Sequence, residues 1–268
     1  MADFFITFRE TLEASLVIGI VVSYLLRTEQ RRYLRYVWWG GMVGLTLSLG
    51  VGVVLFYVSG GFEGAAEEIF EGVTMIFAAG LLATMLVWMK RQRGHTKKIE
   101  EKVERHIERK RLVGIFFLIF LSVLREGIET AIFLLAATSF AQANSIGGAL
   151  LGIAGAVLLV VVLFTAWKKV SLKTFFTIST VVLGLFAVGL LAHGVHELQE
   201  ASVLPVFAQQ AYDVNHIVSE SGIAGSILKS LFGYNGNPSL LEVIVYLGGL
   251  VVLLNFLWPR TLATKKVS

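Results

Sequence analysis

The sequence predicts an all-α membrane protein with seven transmembrane helices, and three observations carry that prediction. Of the 268 residues, 56% are hydrophobic and only 16% charged, outside the range of an ordinary soluble domain. Seven apolar runs each reach the roughly 20 residues a helix needs to cross a hydrocarbon core. Lys and Arg are concentrated in alternate connections between those runs. Helices follow from the solvent, because an open strand would leave backbone N–H and C=O groups unpaired in lipid. The chain therefore reads as a single polytopic membrane domain over residues 1–268.

In order, the runs are Phe4 to Leu26, Val37 to Ser59, Ile69 to Met89, Leu112 to Thr138, Ile146 to Trp167, Phe175 to Gly194 and Leu240 to Trp258. The first is long enough to span and lacks a preceding basic region, so it reads as a helix of the mature protein and not as a cleaved signal. Of the 23 basic residues, all but Arg9, Arg125 and Lys229 fall after the first, third, fifth and seventh runs. The positive-inside rule makes those connections cytoplasmic, which puts the N-terminus outside and the C-terminus inside a cytoplasmic membrane. The mixed charges from Lys90 to Arg111 read as a solvated helix extending a span. The outer segment 195–239 is long enough to hold short surface helices or a partial lid.

Composition also excludes. The formal charge of +4 reports orientation, with no nucleic-acid partner implied. With no Cys, there are no disulfides, thiolate metal sites, iron–sulfur clusters or Cys nucleophiles. No G-x-x-x-x-G-K-[ST] motif occurs to cradle a nucleotide phosphate.

Arg9 and Arg125 are the anomaly, because each opens an R-E-x-x-E motif inside an apolar run: Arg9-Glu10-Thr11-Leu12-Glu13 and Arg125-Glu126-Gly127-Ile128-Glu129. A charge at membrane depth costs several kcal/mol, about 3 on insertion scales, so such residues mark ion paths or tightly paired structural links. On a helix the two Glu of each motif share a face at i and i+3, and each Arg reaches the second Glu at i+4. Two such motifs, each with one Glu in excess of Arg, fit an ion site better than two self-neutralised pins.

Depth gives a register. Measured from the middle of each span at about 1.5 Å per residue, Glu13 should level with Glu126, and Glu10 with Glu129. Four carboxylates then converge just outside the midplane with a formal excess of two negative charges, which a divalent or trivalent cation would neutralise. Oxygen ligands suit Mg, Ca, Mn and both oxidation states of iron, so the ligand type alone does not select the metal. Three spans separate the motifs, so they enter the membrane in opposite directions, as in an inverted three-plus-three repeat with a seventh helix added. Gly127 either loosens its helix or allows close packing.

A second acidic group is expected at the outer surface, with Glu63, Glu67, Glu68 and Glu71 near the start of the third run and His193, His196, Glu197 and Glu200 after the sixth. Together they would form a negative funnel concentrating cations above the buried site. The His193, His196 and Glu197 group also raises an intramembrane metal-dependent hydrolase. That needs H-E-x-x-H, and here Glu200 stands where the second His belongs.

The doubled R-E-x-x-E motif, the seven runs and the His196-Glu197-Leu198-Gln199-Glu200 stretch resemble the oxidase-dependent iron transporter family, which includes fungal high-affinity iron permeases and bacterial EfeU-type permeases. The resemblance spans essentially the whole chain. It implies an iron permease and not an enzyme, with Fe2+ or Fe3+ as transported substrate and no cofactor. It further implies that Glu10, Glu13, Glu126 and Glu129 translocate the ion, that Arg9 and Arg125 are their motif arginines, and that Glu68 and Glu71 form an outer E-x-x-E. Oxidase, peroxidase or cupredoxin-type partners are implied as well, and a homo-oligomer is compatible. The compact chain matches the bacterial form. Transport of another divalent ion such as manganese is the nearest alternative.

Overall fold

The computed structural model describes residues 2–91, 112–141, 146–165, 172–220 and 222–257. These form eight helices: α1 (Ala2–Arg27), α2 (Leu34–Ser59), α3 (Ala65–Arg91), α4 (Leu112–Ala141), α5 (Ile146–Thr165), α6 (Leu172–Glu200), the short α7 (Ile223–Phe232) and α8 (Leu240–Leu257). A 3₁₀ turn, Arg31–Tyr33, precedes α2, and no strand longer than the isolated bridge between Gln210 and Ser239 occurs among the described residues. The solvated helix expected over Lys90 to Arg111 lies almost wholly outside the described residues.

Five helices, α2, α3, α5, α6 and α8, are long and apolar enough to cross a membrane. The helices α1 and α4 have the length, at 26 and 30 residues, but carry the R-E-x-x-E charges within their apolar sequence. Helix α6 runs to Glu200, beyond the run ending at Gly194, so the connection to α8 begins at residue 201. The His193–Glu197 and His196–Glu200 pairs are i,i+4 neighbours that continue the helix past its apolar stretch. Within that connection, α7 ends on Gly233 at φ 73°, whose N–H closes the last turn onto the Leu228 and Lys229 carbonyls.

The dominant pairings are α2 with α4, α1 with α5 and α3 with α6, and α8 packs on α6. Lipid supplies no hydrophobic force between helices, so close backbone approach at small residues has to hold them. A methyl at Gly72 would lie 2.8 Å from the Gly194 carbonyl oxygen, and one at Gly194 would lie 2.9 Å from that of Gly72, which fixes α3 against α6. At the centre, Ile6 of α1, Met75 and Leu82 of α3, Phe133 and Phe140 of α4, and Phe186 and Leu190 of α6 form one buried cluster. Outward faces are apolar, as at Trp38, Met42 and Phe56 on α2 and Leu151 and Leu158 on α5.

Candidate metal site

Both motifs are helical, so each projects its charges from a single face. On α1 the Arg9 side chain is wholly buried, with Nη1 3.0 Å from Glu10 Oε1 and Nη2 2.9 Å from Glu13 Oε1. Its Nη1 also contacts Met85 Sδ of α3. On α4, Arg125 Nε donates to Glu129 Oε1 at 2.7 Å and lies 3.9 Å from Glu126 Oε1, with half of its side chain exposed.

Glu10, Glu126 and Glu129 each place a carboxylate oxygen within 4.8 Å of the other two. Ligand oxygens about 2.0–2.6 Å from one ion lie within such a separation of one another, so these three residues are able to share a cation. Glu13 stands beside them, bridged to Arg9 and within the electrostatic reach of Glu126 and Glu129. The levels read from helical rise pair Glu10 with Glu129 and Glu13 with Glu126; in the fold Glu10 meets both α4 carboxylates. Rise fixes height along each helix, and rotation about its axis, set by packing, decides which residue points inward. Gly127 acts through packing, because a methyl there would overlap Ser48 Oγ and Cβ on α2.

Two cavities reach the cluster from different sides. A groove of about 1240 Å³ between α1, α2, α4 and α5 is lined by Glu10, Thr11, Ser48 and Thr130, and also by Glu67 and Glu71 of α3. A smaller cavity of about 200 Å³ against α3 is lined by Leu81, Thr84, Met85, Arg125 and Glu129.

The second acidic group gathers at the end of the bundle that carries loop 201–239. Glu67 is exposed and Glu68, Glu71 and Glu197 are partly buried. Glu197 feels the charges of Glu71, Glu200 and Glu68, so α3 and α6 bring their acids together. Glu63 lies in the exposed turn before α3. The sequence reading missed Glu242, which is buried at the start of α8 with both carboxylate oxygens 2.9 Å from Asn235 Nδ2. Its backbone N–H donates to Ser239 Oγ at 3.1 Å. Ser239-Leu240-Leu241-Glu242 is thus a capping-box sequence, a signal that was legible but has the ordinary meaning of a helix start. Burial, with the Glu242 charge added to it, raises the Tyr212 phenol above its usual pKa.

The profile of the iron permease FTR1 family matches residues 1–267, the whole length of the bundle. The chain belongs to the iron permease FTR1 family. Among curated relatives in this family, "Ferrous iron permease EfeU" of Escherichia coli O6:H1 is 32% identical over 249 residues, 91% of this chain and 90% of the relative. The protein of the same name in Yersinia pestis is 32% identical over 273 aligned positions, 99% of this chain and 96% of the relative. That of Shigella sonnei is 33% identical over 249 residues. No solved structure shows a significant match. Family membership and the apolar helices together make the chain an integral membrane protein of iron transport.

Proposed function

We propose that this chain moves iron ions across the cytoplasmic membrane through the carboxylates of Glu10, Glu13, Glu126 and Glu129, with Arg9 and Arg125 as partial counter-charge. The observation that carries the proposal is the approach of Glu10, Glu126 and Glu129 to within 4.8 Å across two helices, each carboxylate paired with a motif Arg. Four Glu against two Arg leave a formal excess of two negative charges, which a cation balances. Without one, protons or rearranged ion pairs must take that role.

In this reading α1 and α4 cross the membrane like the five more apolar helices, giving seven spans with the N-terminus outside and the C-terminus inside. Their carboxylates face the bundle interior, the arrangement that makes intramembrane carboxylates tolerable. The ion arrives along the groove past Glu67 and Glu71, helped by the negative field of Glu68, Glu197 and Glu200 beside the imidazoles of His193 and His196, and leaves past Glu129 and Arg125. Periplasmic oxidase, peroxidase or cupredoxin-type partners would deliver the ion, as the family resemblance implies.

An inverted repeat pairing α1–α3 with α4–α6 is supported by matched packing. A methyl on Gly152 of α5 would lie 2.6 Å from the Phe4 carbonyl oxygen and 2.9 Å from the Phe8 nitrogen of α1. A methyl on Gly44 of α2 would lie 2.9 Å from the Phe120 carbonyl oxygen and 3.2 Å from the Leu124 nitrogen of α4. Phe4 and Phe120 stand at the same distance before Arg9 and Arg125, so the motif helices receive their glycine partners at equivalent turns. Such a repeat supports alternating access to a central site.

The test is radioactive iron uptake into sealed proteoliposomes of defined internal pH, with iron supplied as Fe2+ or Fe3+. Saturable uptake, abolished in the Glu126→Gln protein, is the expected result; uptake equal to that of empty vesicles defeats the proposal. Competition by excess manganese decides between iron and a broader divalent preference. Orientation is tested in the naturally Cys-free chain: Cys at Ser59 should react with an impermeant maleimide from outside, and Cys at Ser171 should not.

A further inference from the structure

A second group of metal-ligating side chains lies apart from the R-E-x-x-E cluster, where α6 ends beside the start of α8. His193 and His196 stack with ring centroids 5.6 Å apart and planes 22° from parallel. His193 Nε2 lies 3.3 Å from Glu197 Oε1, and His196 Nε2 lies 3.3 Å from Glu200 Oε1. Both Nδ1 atoms turn the other way, toward the two oxygens of Glu242, at 3.9 Å for His193 and 3.4 Å for His196. Both Nδ1 atoms are buried and neither has a hydrogen-bond partner among the described residues. His193 is itself 8% exposed and Glu242 3%.

That arrangement poses a chemical problem. A neutral imidazole has one N–H and one lone pair, and here both ring nitrogens of each histidine face a carboxylate. With Nε2–H directed at Glu197 and Glu200, each Nδ1 lone pair faces one oxygen of the buried Glu242 carboxylate. A shared cation satisfies these acceptors, either a metal ion or the second proton of each imidazole. Imidazoles whose far nitrogen is oriented by a carboxylate are the usual form of metal-ligating histidine, because the carboxylate fixes the tautomer and aims the ligating nitrogen. The surroundings hold the donors still. Asn235 grips both Glu242 oxygens, and the Phe140 ring packs edge-on against His193 at 5.0 Å. Ser239 Oγ donates to Gln199 Oε1 at 2.5 Å, joining α6 to the first turn of α8. Lys229, the only Lys or Arg of loop 201–239, is paired with Glu220 at 3.3 Å.

We infer that His193 Nδ1, His196 Nδ1 and the Glu242 carboxylate form a discrete binding site for a first-row divalent metal ion, oriented by Glu197 and Glu200. Two imidazoles and one carboxylate suit Fe2+ and its neighbours and disfavour Mg2+ and Ca2+, which prefer all-oxygen sets. The buried R-E-x-x-E cluster is all oxygen and lacks that discrimination. The histidine site would therefore select the metal before the carboxylates of α1 and α4 receive it. Only that order of events rests on the permeation proposal; the site itself is measurable without transport.

The experiment is anaerobic Fe2+ titration by calorimetry of the full chain in lipid nanodiscs, in the Glu126→Gln background to silence the other cluster. One Fe2+ per chain should bind, X-ray absorption at the iron edge should show imidazole ligands, and excess Ca2+ should not displace it. Adding Glu242→Gln should weaken binding by at least about 10-fold, the lower bound for partners of metal ligands. Where E242Q fails to fold, His196→Asn at its partly exposed position should do the same. Absence of Fe2+ binding, an iron shell without imidazole, or displacement by Ca2+ each overturns the inference. Failed uptake in sealed vesicles would instead defeat the permeation proposal and leave this titration standing.

Discussion

The two R-E-x-x-E motifs share a pattern and differ in setting. Arg9 is wholly buried and divides its two terminal nitrogens between Glu10 and Glu13 at 3.0 and 2.9 Å. Arg125 is half exposed, close to Glu129 at 2.7 Å and distant from Glu126 at 3.9 Å. One motif is thus a neutralising clamp enclosed by its neighbours, including Met85 of α3. The other leaves Glu126 weakly partnered and opens on the cavity against α3. The same residues therefore supply a fixed wall on α1 and a responsive face on α4. In the proposed site an ion between them would be held by Glu10 from the first and by Glu126 and Glu129 from the second.

The largest effect should come from removing a carboxylate that the two halves share. Glu10→Gln and Glu126→Gln keep shape while deleting a charge, and either should reduce iron uptake below about a hundredth of wild type, past the 10–100-fold effect of partners that merely orient ligands. Proteoliposome uptake checks this, with size-exclusion profiles confirming that the variants remain folded. Near-normal uptake by E126Q would move the site off α4 and undo the comparison.

The arginines should then separate by stability. Arg9→Ala leaves two buried carboxylates without their partner and should cost about 3–5 kcal/mol. Arg125→Ala removes a half-exposed partner, so solvent screening should hold its cost to about 1 kcal/mol. Thermal unfolding in detergent orders the two, and equal losses would mean that Arg125 is as enclosed as Arg9 in the membrane.

A smaller contrast lies at the residue after each first Glu. Thr11 lines the groove, whereas Gly127 presses on Ser48. Gly127→Ala should cost about 1–3 kcal/mol by overpacking. Thr11→Ala should stay within about 0.5 kcal/mol. Adding Ser48→Gly should restore much of the Gly127→Ala loss, because the pair is in contact and not additive.

What the sequence made legible follows from what one helix knows about itself. The spacing of Arg9, Glu10 and Glu13 is enough to say that the charges share a face, and their place in an apolar run says that the face turns inward. The choice of Glu10 as the α1 residue meeting both α4 carboxylates depends on how α1 is rotated, which neighbouring helices determine. Gly127 was open to two readings because its partner, Ser48, is remote in sequence. Glu242 escaped notice because a single acid at a helix start, after Ser239, has an ordinary meaning; only the fold brings His193 and His196 onto it. Helix α6 extends past its apolar run for a local reason, its His–Glu pairs, that hydropathy does not register.

The finest contrast should come from exchanging Arg for Lys, which probes the geometry of the clamp with charge unchanged. Arg9 uses both terminal nitrogens to reach two different carboxylates. A lysine ammonium is one compact point and cannot reproduce that planar fork. Arg9→Lys should therefore weaken the wall, at about 1–3 kcal/mol for a buried acceptor that loses its partner. At Arg125 the close contact to a motif carboxylate is made by Nε to Glu129, at a half-exposed position where water can complete the shell. A lysine ammonium keeps the charge beside both carboxylates, so Arg125→Lys should change stability by no more than about 0.5 kcal/mol. Uptake by that variant should stay within about twofold of wild type, since 0.5 kcal/mol corresponds to little more than a twofold change in an equilibrium. Paired unfolding and uptake measurements on the two Lys variants decide it. If Arg125→Lys proves the more damaging, the α4 arginine contacts the ion's path through its guanidinium plane, and the roles assigned to the two motifs must be exchanged.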